Sequence, residues 1–96
     1  MASLEMQKFG EVLNSRAAGR EAALRALQIV NGQGSEPGEL IVDFHGVTIL
    51  TPSFADQFLS DIERSLPSKT IKFTGVENNR VLCDVLRAVR KDFITT

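Results

Sequence analysis

Residues 39–66, ELIVDFHGVTILTPSFADQFLSDIERSL, decide the fold. Leu40 to Phe44 is a short apolar run ending in Asp43-Phe44. Its Leu-Ile-Val core is continuous rather than alternating, which predicts a strand covered on both faces. His45-Gly46 reads as a turn, Val47 to Leu50 is again apolar, and Thr51-Pro52-Ser53 opens a helix. Within residues 52–65, Phe54, Phe58, Ile62 and then Leu66 recur every four residues, and Ala55 and Leu59 widen the stripe. Pro67-Ser68 stops it. A strand thus delivers a helix start to the edge of a sheet. Such a start carries unpaired backbone N–H groups and partial positive charge, the place where an anion or a partner would be read.

The flanks extend the pattern. Residues 3–13 read as a first strand or a hairpin, with Leu4, Met6, Val12 and Leu13 as apolar members and Phe9-Gly10 as a turn or bulge. Ser15 is a good N-cap for a helix over residues 16–30, rich in Ala, Leu and Arg. Its apolar stripe is Ala23, Leu27 and Val30, with Leu24 beside them, while Arg16, Arg20, Glu21, Arg25 and Gln28 point elsewhere. Gly19 costs that helix about 1 kcal/mol against Ala, which suggests close approach of a neighbouring backbone. Residues 31–38, NGQGSEPG, form a loop; a phosphate-cradling role lacks the following Lys-Ser/Thr and the helix it would need. Thr70 to Thr74 alternates, as in a strand nearer an edge. Gly75 to Asn78 is a turn, and Asn78 or Asn79 caps a last helix carrying Val81, Leu82, Val85, Leu86 and Val89. Phe93-Ile94 either docks back or frays. The expected architecture is one small α/β domain over residues 1–96, with a mixed, partly parallel sheet of about four strands and about three helices.

Composition narrows the function. A chain of 96 residues buries roughly 60–65% of its unfolded surface, enough for one modest core. Its net charge of −1 argues against a dedicated nucleic-acid binder, and with no Trp or Tyr and the six Phe mostly inside apolar patterns, no stacking platform for single strands is expected. No apolar run reaches the ~20 residues of a membrane span. The start, MASLEMQKFG, lacks a secretory pattern, and one cysteine cannot form an internal disulfide, so the expected location is cytoplasmic.

Individual residues sharpen this. Arg16, in a first helical turn, opposes the helix dipole, and Arg20 lies four residues on along the same face. The pair suits recognition of an anion or an acidic partner. Asp43 is expected to hydrogen-bond the turn at Gly46, and Asp56 to serve the helix dipole or a partner. Either Thr51 caps the second helix, with Pro52 in its first turn and Ser53 a first-turn polar residue, or Ser53 caps it with Asp56 three residues on. His45 is the sole histidine and has no Ser, Cys or second His at a catalytic or metal-binding spacing. Cys83 reads as a small buried hydrophobe. Asp61, Glu63, Asp84 and Asp92 lie on polar helix faces, and Arg80, Arg87, Arg90 and Lys91 are helix-end charge. No catalytic residue, metal ligand or cofactor is expected, so the chain does not read as an enzyme.

The order of elements around VDFHGVTILTPSF resembles the STAS domain of anti-sigma-factor antagonists, and most of all the STAS-like family of uncharacterised function. The likeness rests on Ser15-Arg16, Val42-Asp43-Phe44, Gly46-Val47, Ser53-Phe54-Ala55-Asp56 and the segment IKFTGVENNRVLCDVL, and runs from about Phe9 to Val89. The resemblance implies a non-enzymatic regulatory module that binds a histidine-kinase-like ATP-binding regulator through the start of its second helix, with no nucleic acid and no membrane. It also implies a phosphorylation switch at that start. The antagonists carry Asp-Ser-Ser-Gly or similar there; this chain has Thr51-Pro52-Ser53-Phe54, so Pro52 stands in the phosphoacceptor position and Ser53 or Thr51 is left as the candidate. The implied binding surface is Ser15, Arg16, Arg20, Asp43, Thr51, Pro52, Ser53 and Asp56. The alternative reading is a small-ligand or nucleotide-binding regulatory domain that uses the same helix starts as an anion site.

Overall fold

A computed structural model describes residues 2–32, 38–67, 69–77 and 79–90. The chain runs β1 (Ala2–Glu5), a 3-10 turn (Met6–Phe9), β2 (Val12–Leu13), α1 (Arg16–Gly32), β3 (Gly38–Asp43), β4 (Ile49–Leu50), α2 (Pro52–Ser65), β5 (Lys69–Thr74) and α3 (Arg80–Val89). The expected small α/β architecture with three helices is present. Its strands form a three-stranded sheet in the order β1-β3-β5 and a separate two-stranded ladder of β2 with β4. Each of these pairings is parallel. The hairpin considered for residues 3–13 does not form, because β1 pairs β3 while β2 pairs β4. The 3-10 turn between them closes with the Gly10 N–H donating to the Gln7 carbonyl at 3.0 Å.

The crossovers from β1 to β3 and from β3 to β5 advance in one direction, so connections of one hand put α1 and α2 on the same face of the sheet, where they pack against each other. That face carries Leu4, Leu40, Val42 and Phe73, all buried. The other face carries Ser3, Ile41 and Lys72 in register, none of them buried, and a Lys72–Glu39 ion pair. The continuous Leu-Ile-Val run is therefore not covered on both sides. Its middle residue, Ile41, is half-buried among polar neighbours.

The core fills the space between sheet and helices. Phe54, Phe58 and Ile62 from α2 are buried in it, with Ala55 and Leu59 widening the stripe as expected. In α1 the buried residues are Gly19, Ala22, Ala23, Ala26 and Val30. Leu24, expected beside this stripe, is instead 61% exposed. Small side chains let α1 approach α2 so closely that the buried line centres on them, and Leu24 is turned to the rim. Gly19 shows the cause: a Cβ there would stand 2.7 Å from the Phe54 carbonyl oxygen. The close approach suspected from sequence is thus met by backbone of α2.

In α3 the Asn79 side chain caps the helix, accepting from the Leu82 N–H at 3.1 Å. Leu82 and Leu86 are buried, but Val81, expected in the stripe, is 65% exposed. Cys83 is half-buried against the core and its thiol donates to the Val76 carbonyl at 3.1 Å. Arg90 is more than helix-end charge, since its guanidinium lies 6.0 Å from the Phe73 ring centroid and pairs with Glu63 of α2 at 3.2 Å. The expectations for Ser68, Asn78, Lys91, Asp92 and Phe93-Ile94, and for most of the loop at residues 31–38, lie outside the described residues.

Candidate functional site

The β2/β4 ladder builds the site. Each of its strands ends directly before a helix, and its register sets Leu13 beside Leu50. The Thr51 N–H donates to the Leu13 carbonyl at 3.0 Å. Two helix starts, each one short step beyond its strand, are thereby held side by side. Leu13 and Leu50 anchor the ladder in the core, while Val12 and Ile49 on its outer side are 51% and 50% exposed.

At the first start, the Ser15 hydroxyl accepts from the Ala18 N–H at 3.1 Å, the N-cap expected from sequence. Ser15 holds this post with φ of 75°, a left-handed backbone that non-glycine residues seldom adopt. At the second start, the Thr51 hydroxyl accepts from the Phe54 N–H at 3.3 Å. Of the two registers open in the sequence, the one with Thr51 as cap and Pro52 as first helical residue is the one that forms. The Thr51 hydroxyl is thus engaged in the cap and half-buried, whereas Pro52 and Ser53 are exposed.

Arg16 crosses between the two starts. Its guanidinium pairs with the Asp56 carboxylate at 3.0 Å and donates to the Gln57 side-chain oxygen at 3.4 Å. The cation that opposes the dipole of its own helix is therefore neutralised by a carboxylate on the next one. Asp56 and Gln57 lie three and four residues beyond Ser53, on the same helical face. Both members of the bridge are more than half exposed, at 55% and 51%, which keeps its contribution to stability small. A double-mutant cycle of Arg16→Ala and Asp56→Ala, read by urea unfolding, should give a coupling below about 1 kcal/mol.

The structure thus gathers Ser15, Arg16, Thr51, Pro52, Ser53 and Asp56 into one exposed tip. Arg20 stands one turn further along α1, and among the described residues it makes no ion pair. Asp43 belongs to a neighbouring turn, not to the tip. Its carboxylate accepts from the His45 N–H at 3.0 Å, one residue short of the expected Gly46. Gln57 was missed by sequence reasoning; its spacing of four from Ser53 was the available signal. Among the described residues no cluster of His, Cys, Asp and Glu could hold a metal ion, and no helix is long and apolar enough to cross a membrane.

No curated protein and no solved structure matches the chain. One family model does, described as a STAS-like domain of unknown function, over residues 19–80. That span covers α1 from Gly19, the central strand, the α2 start, β5 and the first residue of α3. With most of its length so matched, the chain belongs to the family of STAS-like domains of unknown function.

Proposed function

We propose that this domain is a protein-interaction module without chemistry of its own, which docks a partner on the tip formed by the starts of α1 and α2. The observation that carries the reading is the placement of Ser53. It is an exposed hydroxyl in the first turn of α2, one turn before the carboxylate that holds Arg16. A phosphate there would add roughly −1.5 to −2 charges at pH 7. It would meet the positive end of α2 and compete with Asp56 for Arg16. The existing bridge is exposed and weak, so the exchange costs little. Ser53 suits this role better than Thr51, whose hydroxyl caps the helix. The partner class implied by family resemblance is a histidine-kinase-like ATP-binding regulator.

The test is pull-down from the native cell with mass spectrometry, scoring partner identity and phosphate, followed by binding measurements on the purified pair. Ser53→Asp should change partner affinity by at least about tenfold, or 1.4 kcal/mol, with the melting temperature little altered. An affinity that does not move ends the phosphoswitch. A melting temperature that rises when nucleotide is added to the pure protein would instead favour a small-ligand domain using the helix starts as an anion site.

A further inference from the structure

A groove of about 310 Å³ runs between α1 and α2 on the side away from the sheet. Arg20, Ala23, Leu24 and Leu27 line it from α1 at the spacing of one helical face. Gln57, Asp61 and Arg64 line it from α2 in the same manner. Its centre is aliphatic: Ala23 forms the floor, Leu27 is half-buried, and Leu24 stands at the rim with 61% of its surface in solvent. Its ends are cationic. Arg20 lies near the helix starts, and Arg64, 73% exposed, lies in the last turn of α2. The one carboxylate inside, Asp61, is already occupied. Both its oxygens accept from the Gln57 amide at 3.0 Å, and one pairs with Arg64 at 2.8 Å.

We infer that this groove takes an acidic amphipathic helix of a partner protein. An aliphatic side chain of that helix packs beside Leu24, and carboxylates on either side of it meet Arg20 and Arg64. The charge pattern selects the occupant. A basic segment would face Arg20, which makes no ion pair among the described residues, with the groove's one carboxylate already held by Gln57 and Arg64, and a wholly apolar one would leave the Arg20 charge in a partly desolvated rim. The inference rests on the reading of the domain as a partner-binding module and assigns that module a second contact, beside the tip rather than on it.

Photo-crosslinking in the native cell tests it. A photoreactive phenylalanine is placed separately at Leu24, at Ser53 for the tip, and at Val81 on α3 as an exposed apolar control. The peptide attached at Leu24 should carry acidic residues on both sides of an aliphatic one. Its yield should fall at least about tenfold in Arg20→Glu, and should also fall in Arg64→Gln, while circular dichroism and melting temperature stay unchanged. A basic or uncharged peptide, a second copy of this chain, yields no better than at Val81, or indifference to both substitutions would overturn the groove assignment. Crosslinks at Ser53 with none at Leu24 would remove the groove and leave the tip. Crosslinks at neither would remove both.

Discussion

Phe58→Ala should lower stability by about 3–5 kcal/mol, read as a fall in urea midpoint and melting temperature. Phe58 is 1% exposed. Its ring stacks on Phe54 at 5.8 Å with a 13° tilt and meets Phe9 at 6.3 Å and 54°. It therefore joins α2 to the turn that follows β1 as well as filling the core. Truncation removes the transfer free energy of the ring, its aromatic contacts and the packing around the space left behind. A domain of this length has about 5–14 kcal/mol in total, so the variant should be largely unfolded at modest urea. A loss near 1 kcal/mol would show that this aromatic cluster is not the centre of the core.

Gly75→Ala is expected to cost about 2–4 kcal/mol, a large effect for one added methyl group. The residue has φ of 78°, where a Cβ crowds its own backbone at about 1–2 kcal/mol. The added carbon would also press on the His45 amide, and would sit 2.5 Å from the Asp43 carboxylate oxygen and 3.0 Å from the Phe44 carbonyl carbon. Two of these three neighbours are backbone, so the strain cannot be shed by a rotamer change, and overpacking adds about 1–3 kcal/mol. Reduced freedom of the unfolded chain offsets less than about 1 kcal/mol of the total. Because the displaced oxygen is the acceptor for the His45 N–H, that amide should also lose hydrogen-exchange protection. Near-normal stability together with a protected His45 amide would refute this account of the turn.

What the sequence conveyed, and what it withheld, divides along the range of the interactions. The second helix was legible because Thr51, Pro52 and the Phe54-Phe58-Ile62 spacing are local signals that agree. Gly19 was legible as an anomaly, a poor helix former inside a strong helix, and the Phe54 carbonyl explains it. The central strand was legible as a strand, but not which of its faces was covered. That depends on both crossovers lying on one side, a property of the whole topology. Leu24 and Val81 sit at the borders of their stripes, where a helix period alone does not say in or out. The Arg16–Asp56 bridge joins residues far apart in the chain, and the β2/β4 ladder and the packing of α1 on α2 at Gly19 bring them together. The choice between Thr51 and Ser53 as cap could not be read, since both are hydroxyl residues, one followed by a proline suited to the first helical turn and the other by Asp56 three residues on.

The exclusively parallel ladders also bear on how the chain reaches this shape. Ala2 waits for Leu40, Val12 for Ile49 and Gly38 for Lys69, so no strand can zip onto its immediate successor. Loop-closure entropy must be met before any of these pairings returns enthalpy. Early order must then come from helical segments, and acquisition of the native state should be slower than in a helical bundle of equal length. On the ribosome, β1 emerges before its partner, and Leu4 stays without its sheet neighbours until β3 has been synthesised. During synthesis, that interval is when this domain has most need of a chaperone.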